Sequence, residues 1–390
     1  MKKLNKAVSL VCSAAMAMAM LAGCGNAEST GSAAGGGTFK FGAIGPLSGG
    51  AAAYGNAVCN AAELAVAEIN EKGGINGYQV EYSKEDDELN AEKSVNAYNT
   101  LKDWGMQVLV GSTTSACSIA VSENTKADNM FQLTPSGSAV DCVKYDNVFR
   151  VCFSDPNQGI ASAQYISDNN LATKVGIIYD SSDVYSSGIY QKFVEESAGK
   201  NYEVVSAEAF TQDNNTDFSV QLQKAKDAGA DLVFLPIYYK DASLILTQAN
   251  TMGYSPIFFG VDGLDGILTV ENFDTSLAEG VMLLTPFAAD AKDDLTVNFV
   301  TKYQEKYGET PNQFAADAYD AVYIIKQAIE AKNLTPDMSV SDLCEALKSA
   351  MTEIEAKGLT SEKMTWDASG EPNKQPKAVV IKNGAYVSAQ

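Results

Sequence analysis

The sequence predicts an α/β protein built as two doubly wound, Rossmann-like lobes. Three observations carry this. Short β-rich runs alternate with helix-period segments from Phe39 onward. The alternation pauses after Thr134 and restarts at Lys174. And 390 residues are too many for one ordinary core but suit two.

Taken in order, residues 39–46 read as a strand. A helix follows with Val58, Ala61, Ala62, Ala65 and Ile69 on one face, ended by Lys72-Gly73-Gly74, where glycine suits a left-handed cap. A strand over 78–84, a helix over 91–104, a buried strand over 108–111, a helix over 115–128 and a strand over 130–134 complete the first series. The second series has strands over 174–179, 203–210, 231–236 and 256–259, with helices over 187–200, 218–228 and 241–252 between and after them. A strand over 280–286, helices over 294–307, 314–332 and 340–351, and a last strand over 377–382 close the chain. This order argues for parallel sheets.

Residues 1–23 have the form of a signal peptide. Lys2, Lys3 and Lys6 precede an apolar run too short to span a bilayer comfortably, and Leu21-Ala22-Gly23-Cys24 follows. A cysteine directly after the cleavage point looks like a lipobox, so Cys24 is the expected lipidation site and the chain is expected on the outer face of the cell membrane. Residues 24–38 are mostly Gly, Ser, Ala and Thr and read as a flexible tether. Cys59, Cys117, Cys142, Cys152 and Cys344 remain, with no CxxC pair to suggest zinc or a redox couple. A Cys142–Cys152 disulfide and simple buried thiols are both open readings.

A net charge of −21 and the lack of basic runs disfavour nucleic acid as a partner. The absence of histidine removes Ser-His-Asp and Cys-His catalysis and the commonest zinc ligand. No GxGxxG or GKS/GKT motif supports a nucleotide. The expectation is therefore no enzyme, no catalytic residue, no metal and no cofactor.

In open α/β sheets, ligands bind at the carboxyl ends of the strands. Gly45-Pro46-Leu47-Ser48-Gly49-Gly50 and Tyr54 follow the first strand. Gly111-Ser112-Thr113-Thr114-Ser115-Ala116 opens a helix with hydroxyls and orphan amides, a natural carboxylate site. Thr134-Pro135-Ser136-Gly137-Ser138 repeats that chemistry after a neighbouring strand. In the second series Tyr185, Tyr238 and Asp262 occupy strand-end loops. The tyrosines supply walls with a polar tip, and the acid suits an ammonium. A zwitterion held between two lobes satisfies both sides.

The stretches Gly42-Ala43-Ile44-Gly45-Pro46-Leu47-Ser48-Gly49, Ala67-Glu68-Ile69-Asn70-Glu71-Lys72-Gly73-Gly74-Ile75-Asn76-Gly77, Val110-Gly111-Ser112 through Ser115, and Thr134 to Ser138 resemble the type I periplasmic binding proteins. Within these the chain is similar to the branched-chain amino-acid group of ABC-importer receptors, from about Phe39 to Lys382. The resemblance implies α-carboxylate contacts at Ser115, Ser136 (mainly through its backbone) and Ser138. It implies aromatic walls at Tyr54, Tyr185 and Tyr238, an ammonium partner at Asp262, where relatives often have Glu, and a pocket contribution from Phe287. It further implies a type I fold whose lobes, 39–153 with 286–365 and 154–285 with 366–390, are joined by three hinge crossovers near Ser154, Thr285 and Trp366. The expected partners are an amino acid, ABC permease and ATPase subunits, and the membrane through the lipid anchor, with the protein itself a monomer. Amide, urea or aromatic-acid binding, and a sensor role at a membrane receptor, are the alternatives.

Overall fold

The structure is a computed structural model that describes residues 37–389. The signal peptide, Cys24 and nearly all of the tether lie outside the described residues. Among those described, no helix is long and apolar enough to cross a membrane.

The first sheet is wholly parallel, in the order β2-β1-β3-β4-β5. Its strands are β1 (Phe39–Gly45), β2 (Val80–Asp86), β3 (Val108–Val110), β4 (Phe131–Thr134) and β5 (Val148–Arg150). Helices α1 (Ala52–Glu71), α2 (Ala91–Trp104) and α3 (Ser115–Asp128) connect them. From β5 the chain passes through α4 (Asp155–Asp168) into β6 (Lys174–Asp180), α5 (Val184–Ser197), β7 (Glu203–Phe210), α6 (Ser219–Asp227), β8 (Leu232–Leu235), α7 (Tyr239–Thr251), β9 (Ile257–Gly260) and β10 (Met282–Thr285). It then forms α8 (Asp294–Tyr307), α9 (Gln313–Ala331) and α10 (Val340–Met351), which pack with the first sheet and its helices, before β11 (Lys377–Lys382) and β12 (Ala385–Ser388) rejoin the second. The second sheet runs β12-β11-β10-β9-β8-β6-β7.

The α/β alternation expected from the sequence is present, with three differences. β5 and α4 were not foreseen. β5 is three residues long and ends in an arginine, and α4 opens on a proline and carries Gly159, so neither shows the usual apolar period. β12 adds a strand beyond the expected last one, and β10–β11 and β11–β12 pair antiparallel, so the second sheet is mixed.

The core follows the predicted helix face. Val58, Ala61, Ala62, Ala65 and Ile69 are all fully buried, in a cluster with Ala318, Val322, Ile325 and Ile329 of α9. Such burial is worth about 1.5–3 kcal/mol for each large apolar side chain. Glu68, on the same helix and 3% exposed, takes Lys302 Nζ at 2.9 Å, Tyr319 Oη at 2.8 Å and Tyr323 Oη at 3.0 Å, so α1, α8 and α9 are pinned through one carboxylate. The Asn-Glu-Lys-Gly-Gly-Ile-Asn-Gly stretch is accordingly structural. Asn70 clamps Val80 of β2 by donating to its carbonyl and accepting from its amide, both at 2.8 Å. Asn76 donates to the Leu334 carbonyl at 3.1 Å.

Where the chain passes between sheets, a fully buried arginine ties the segments together. Arg150 Nη1 donates to the carbonyls of Gly137 and Ser138, and Nη2 donates to Glu371 Oε1 at 2.8 Å. The Arg150 carbonyl accepts from Trp366 Nε1 at 2.7 Å, and its amide donates to the Gly370 carbonyl at 3.1 Å. Lys374, 2% exposed, pairs with buried Asp317 of α9 and donates to Thr360 Oγ1 at 2.7 Å. The five cysteines among the described residues are free and buried, so the Cys142–Cys152 bond does not form.

Arg150→Met keeps the apolar stem but strands two carbonyls and a carboxylate. A loss of about 3–5 kcal/mol in denaturant unfolding is expected; a loss under about 1 kcal/mol would show that the node is dispensable.

Candidate functional site

Three helix starts converge on one point. α3 begins at the hydroxyl cluster after β3, α5 at the loop after β6, and α7 at the loop after β8. Each brings the positive end of its peptide dipoles, and the Tyr185 and Tyr239 amides of α5 and α7 are already met, by Asp183 Oδ1 and Tyr54 Oη. At their meeting point lies a cavity of about 10 Å³, about the room of one water-sized sphere, lined by Tyr54, Thr113, Thr114, Ser115, Ser136, Tyr185, Tyr238, Asp262, Gly263 and Phe314.

Six of the seven residues picked from the sequence line this cavity. Tyr54, in the first turn of α1, is 2% exposed. Its hydroxyl donates to the Gly263 carbonyl and accepts from the Tyr239 amide at 3.2 Å, joining the first sheet's α1 to the second sheet's loops. Ser115 Oγ accepts from the amides of Ser138 and Ala139 at 3.2 and 3.1 Å, which leaves its own proton free to donate. The Ser136 hydroxyl is committed to the Thr113 carbonyl at 2.6 Å. Tyr185 Oη donates to Asp262 Oδ1 at 2.6 Å and accepts from the Gly263 amide at 2.9 Å, and its ring stacks on Tyr238 at 5.0 Å. Gly263 allows this approach: a Cβ there would meet Tyr185 Oη at 2.5 Å and the Ile237 carbonyl at 2.7 Å.

Ser138 does not line the cavity. Its amide faces Ser115, its carbonyl faces Arg150 and the Asp155 amide, and its buried hydroxyl has no partner. Phe287 lies apart, against a different and larger cavity. Phe314 supplies the pocket aromatic instead, its ring 4.4 Å from that of Tyr54. Thr113 and Thr114 sat within the hydroxyl cluster singled out from the sequence, but Phe314 gave no signal, because it opens a helix rather than following a strand.

The site is acidic and buried. Burial pushes the Asp262 carboxyl up to about 7, against the hydrogen bond from the Tyr185 hydroxyl that favours its ionised form. Asp155 at the start of α4 is 1% exposed, neither of its oxygens has a partner, and burial holds it well above the usual carboxylate range. The arrangement offers hydroxyls and helix amides for an anionic group on one side. On the other it offers a carboxylate in want of a cation, with aromatic rings between them.

The sequence matches the periplasmic binding protein family over residues 38–385. It is 30% identical over 300 residues to a Leu/Ile/Val-binding protein of Rhizobium johnstonii, covering 76% of this chain and 80% of that one. The structure is similar to that of the branched-chain amino acid transporter substrate-binding protein LivJ from Streptococcus pneumoniae in complex with isoleucine. That match has a TM-score of 0.82 and 28% identity, over 91% of this chain and 99% of that one. A solute-binding protein of an ABC transporter from R. palustris, solved with benzoate, shares the fold with a TM-score of 0.79 at 19% identity, over 90% and 95% of the two chains.

Carboxyls whose folded-state pKa is raised stabilise the protein most at low pH and lose that contribution as pH rises through the raised value. Asp87, Asp241, Asp265 and Asp320 are held near 6 and Asp262 near 7, all by burial. Groups shifted the other way, such as Asp146 at about 2, act below the ordinary carboxylate range. The ligand-free protein should therefore melt at a higher temperature at pH 5 than at pH 8 by scanning calorimetry, and Asp262→Asn should raise the midpoint at pH 8. A midpoint that climbs from pH 5 to pH 8 would contradict this assignment.

Proposed function

The chain belongs to the periplasmic binding protein family, and we propose that it is the lipid-anchored receptor of an ABC importer for a small amino acid of the branched-chain class. The observation that carries this reading is the opposition of Ser115 and the α3 amides to the Tyr185–Asp262 pair across a single cavity. An α-carboxylate fits the first set, which can donate but holds no buried negative charge. An ammonium fits Asp262, and its charge would draw the carboxyl back to its ionised form. Tyr54, Tyr238 and Phe314 would then enclose a short apolar side chain. The relatives named above support the ligand class.

In this reading the lobes, 39–153 with 286–365 and 154–285 with 366–390, close on the ligand about crossovers near Ser154, Thr285 and Trp366. Ligand docks first at the Ser115 and Ser136–Ser138 loops. The second lobe then adds Tyr185, Tyr238 and Asp262, and closure is a population shift stabilised by the bridging contacts. Ser138 acts indirectly, by holding the Ser115 hydroxyl. Cys24 anchors the receptor beside the permease, and its ATPase subunits supply the energy. We assign no chemistry to this chain.

A second reading, an aromatic or other carboxylic acid, is favoured by the ring-rich lining and the benzoate-bound relative. It leaves Asp262 without a cation.

Calorimetric titration of protein unfolded and refolded free of bound ligand should show tight one-to-one binding of leucine, isoleucine or valine. Asp262→Ala should cost several kcal/mol of that affinity. Lowering the pH from 7.5 to 6 should weaken it by about tenfold, because protonating Asp262 removes the charge that the ammonium needs. A response to benzoate or an amide, with none to any α-amino acid, would keep the receptor and reject the amino-acid reading.

A further inference from the structure

Behind the Tyr54 ring lies a second and much larger cavity, of about 670 Å³, that shares no lining residue with the first. The two are separated by the edge-to-face pair Tyr54–Tyr239, with Tyr54 lining one and Tyr239 the other, centroids 5.0 Å apart. The start of α1, α8 and the loop before α9 form one side of it. β10, the turns over 265–269 and the β11–β12 hairpin form the other. Its volume is that of a small-molecule site.

The lining is specific in chemistry. Asp265 is 5% exposed. Its Oδ2 accepts from the Gln313 amide at 2.9 Å, while its buried Oδ1 has no hydrogen-bond partner. A buried, half-satisfied carboxylate is costly unless a cation or donor meets it. Exposed Asp290 and Glu309 add negative charge at the rim, and no Lys or Arg lines the cavity among the described residues. Tyr386 is held beside Asp265 by accepting from the Gly266 amide at 3.1 Å, and Tyr239 and Phe287 add further aromatic wall. Aromatic faces around a carboxylate form a cage for an ammonium group on an apolar body.

We infer that this cavity is a second binding site, for an organic cation that pairs with Asp265 and packs its apolar part on Tyr239, Phe287 and Tyr386. It shares no contact residue with the ligand at Ser115 and Asp262. An acidic rim raises the local concentration of cations and repels carboxylates, so α-amino acids, which carry both charges, fit it poorly.

Calorimetric titration with phenethylammonium tests this, with 2-phenylethanol and 3-phenylpropionate as its neutral and anionic counterparts. One-to-one binding of the cation is expected, about tenfold or more tighter than either counterpart. Asp265→Asn, which still offers an oxygen to the Gln313 amide, should weaken it by about tenfold, and Asp262→Asn should not change it. The rim variant D290N/E309Q, at two exposed positions, should weaken it by about two- to fivefold and flatten its salt dependence. No binding of the cation, equal binding of the alcohol, or loss on Asp262→Asn with Asp265→Asn unaffected would each overturn the inference.

Discussion

The geometry of the cleft depends on one buried guanidinium. Arg150 closes the last strand of the first sheet, and from there it holds the two carbonyls of the Gly137–Ser138 turn and the Glu371 carboxylate of the returning chain. The planar fork suits this, because it reaches several acceptors at fixed angles. The turn it fixes presents the amides that hold Ser115 Oγ, and the segment it fixes carries Trp366 and leads to β11. The arginine therefore aligns a wall of the small cavity with the strands that join the two sheets. A charge this deep is tolerated only because acceptors surround it and the Glu371 carboxylate pairs with it.

Elsewhere the interior has too few cations for its acids. Nine buried carboxylates face two buried cations among the described residues, and burial holds several of them above the ordinary carboxylate range. Those paired with a cation or with several donors, such as Glu68 and Asp317, hold helices together. Asp155, Asp262 and Asp265 each keep at least one oxygen away from any compensating charge; Asp262 lines the small cavity, Asp265 the one behind it, and Asp155 follows the Ser138 turn. Such sites sacrifice stability of the free protein for an interaction that a bound cation completes.

Much of this was legible in the sequence, because periodicity reports burial and strand ends report position. The α1 face and the boundaries of α2, α3, α8 and α10 follow from the first rule, the second points to the loops that converge, and the family resemblance singles out Tyr54, Ser115, Ser136, Tyr185, Tyr238 and Asp262 within them. What escaped has a common cause. β5 is short and ends in a buried arginine whose role appears only when residue 371 folds back on it. Phe314 reaches the cavity from a helix that returns from a distant part of the chain, outside any βα loop. Ser138 sits one residue past the turn that decides which side faces the ligand, and no local pattern encodes that choice. The antiparallel β12 is a hairpin across Asn383-Gly384, which pattern reading ended one strand early.

The five buried thiols carry a consequence for how the chain must reach this state. Burial pushes Cys59, Cys117, Cys142 and Cys344 up to about 12, and Cys152 also lies far above a normal thiol. The thiolate is the reactive form, so the folded molecule is inert to disulfide exchange. The unfolded chain has no such protection, and with an odd number of thiols any wrong pairing leaves another free to react. In an oxidising compartment outside the cytoplasm, the yield of active molecules is then a race between collapse of the core and oxidation of the chain. The same sequence that is redox-proof once folded is most exposed in the interval just after translocation.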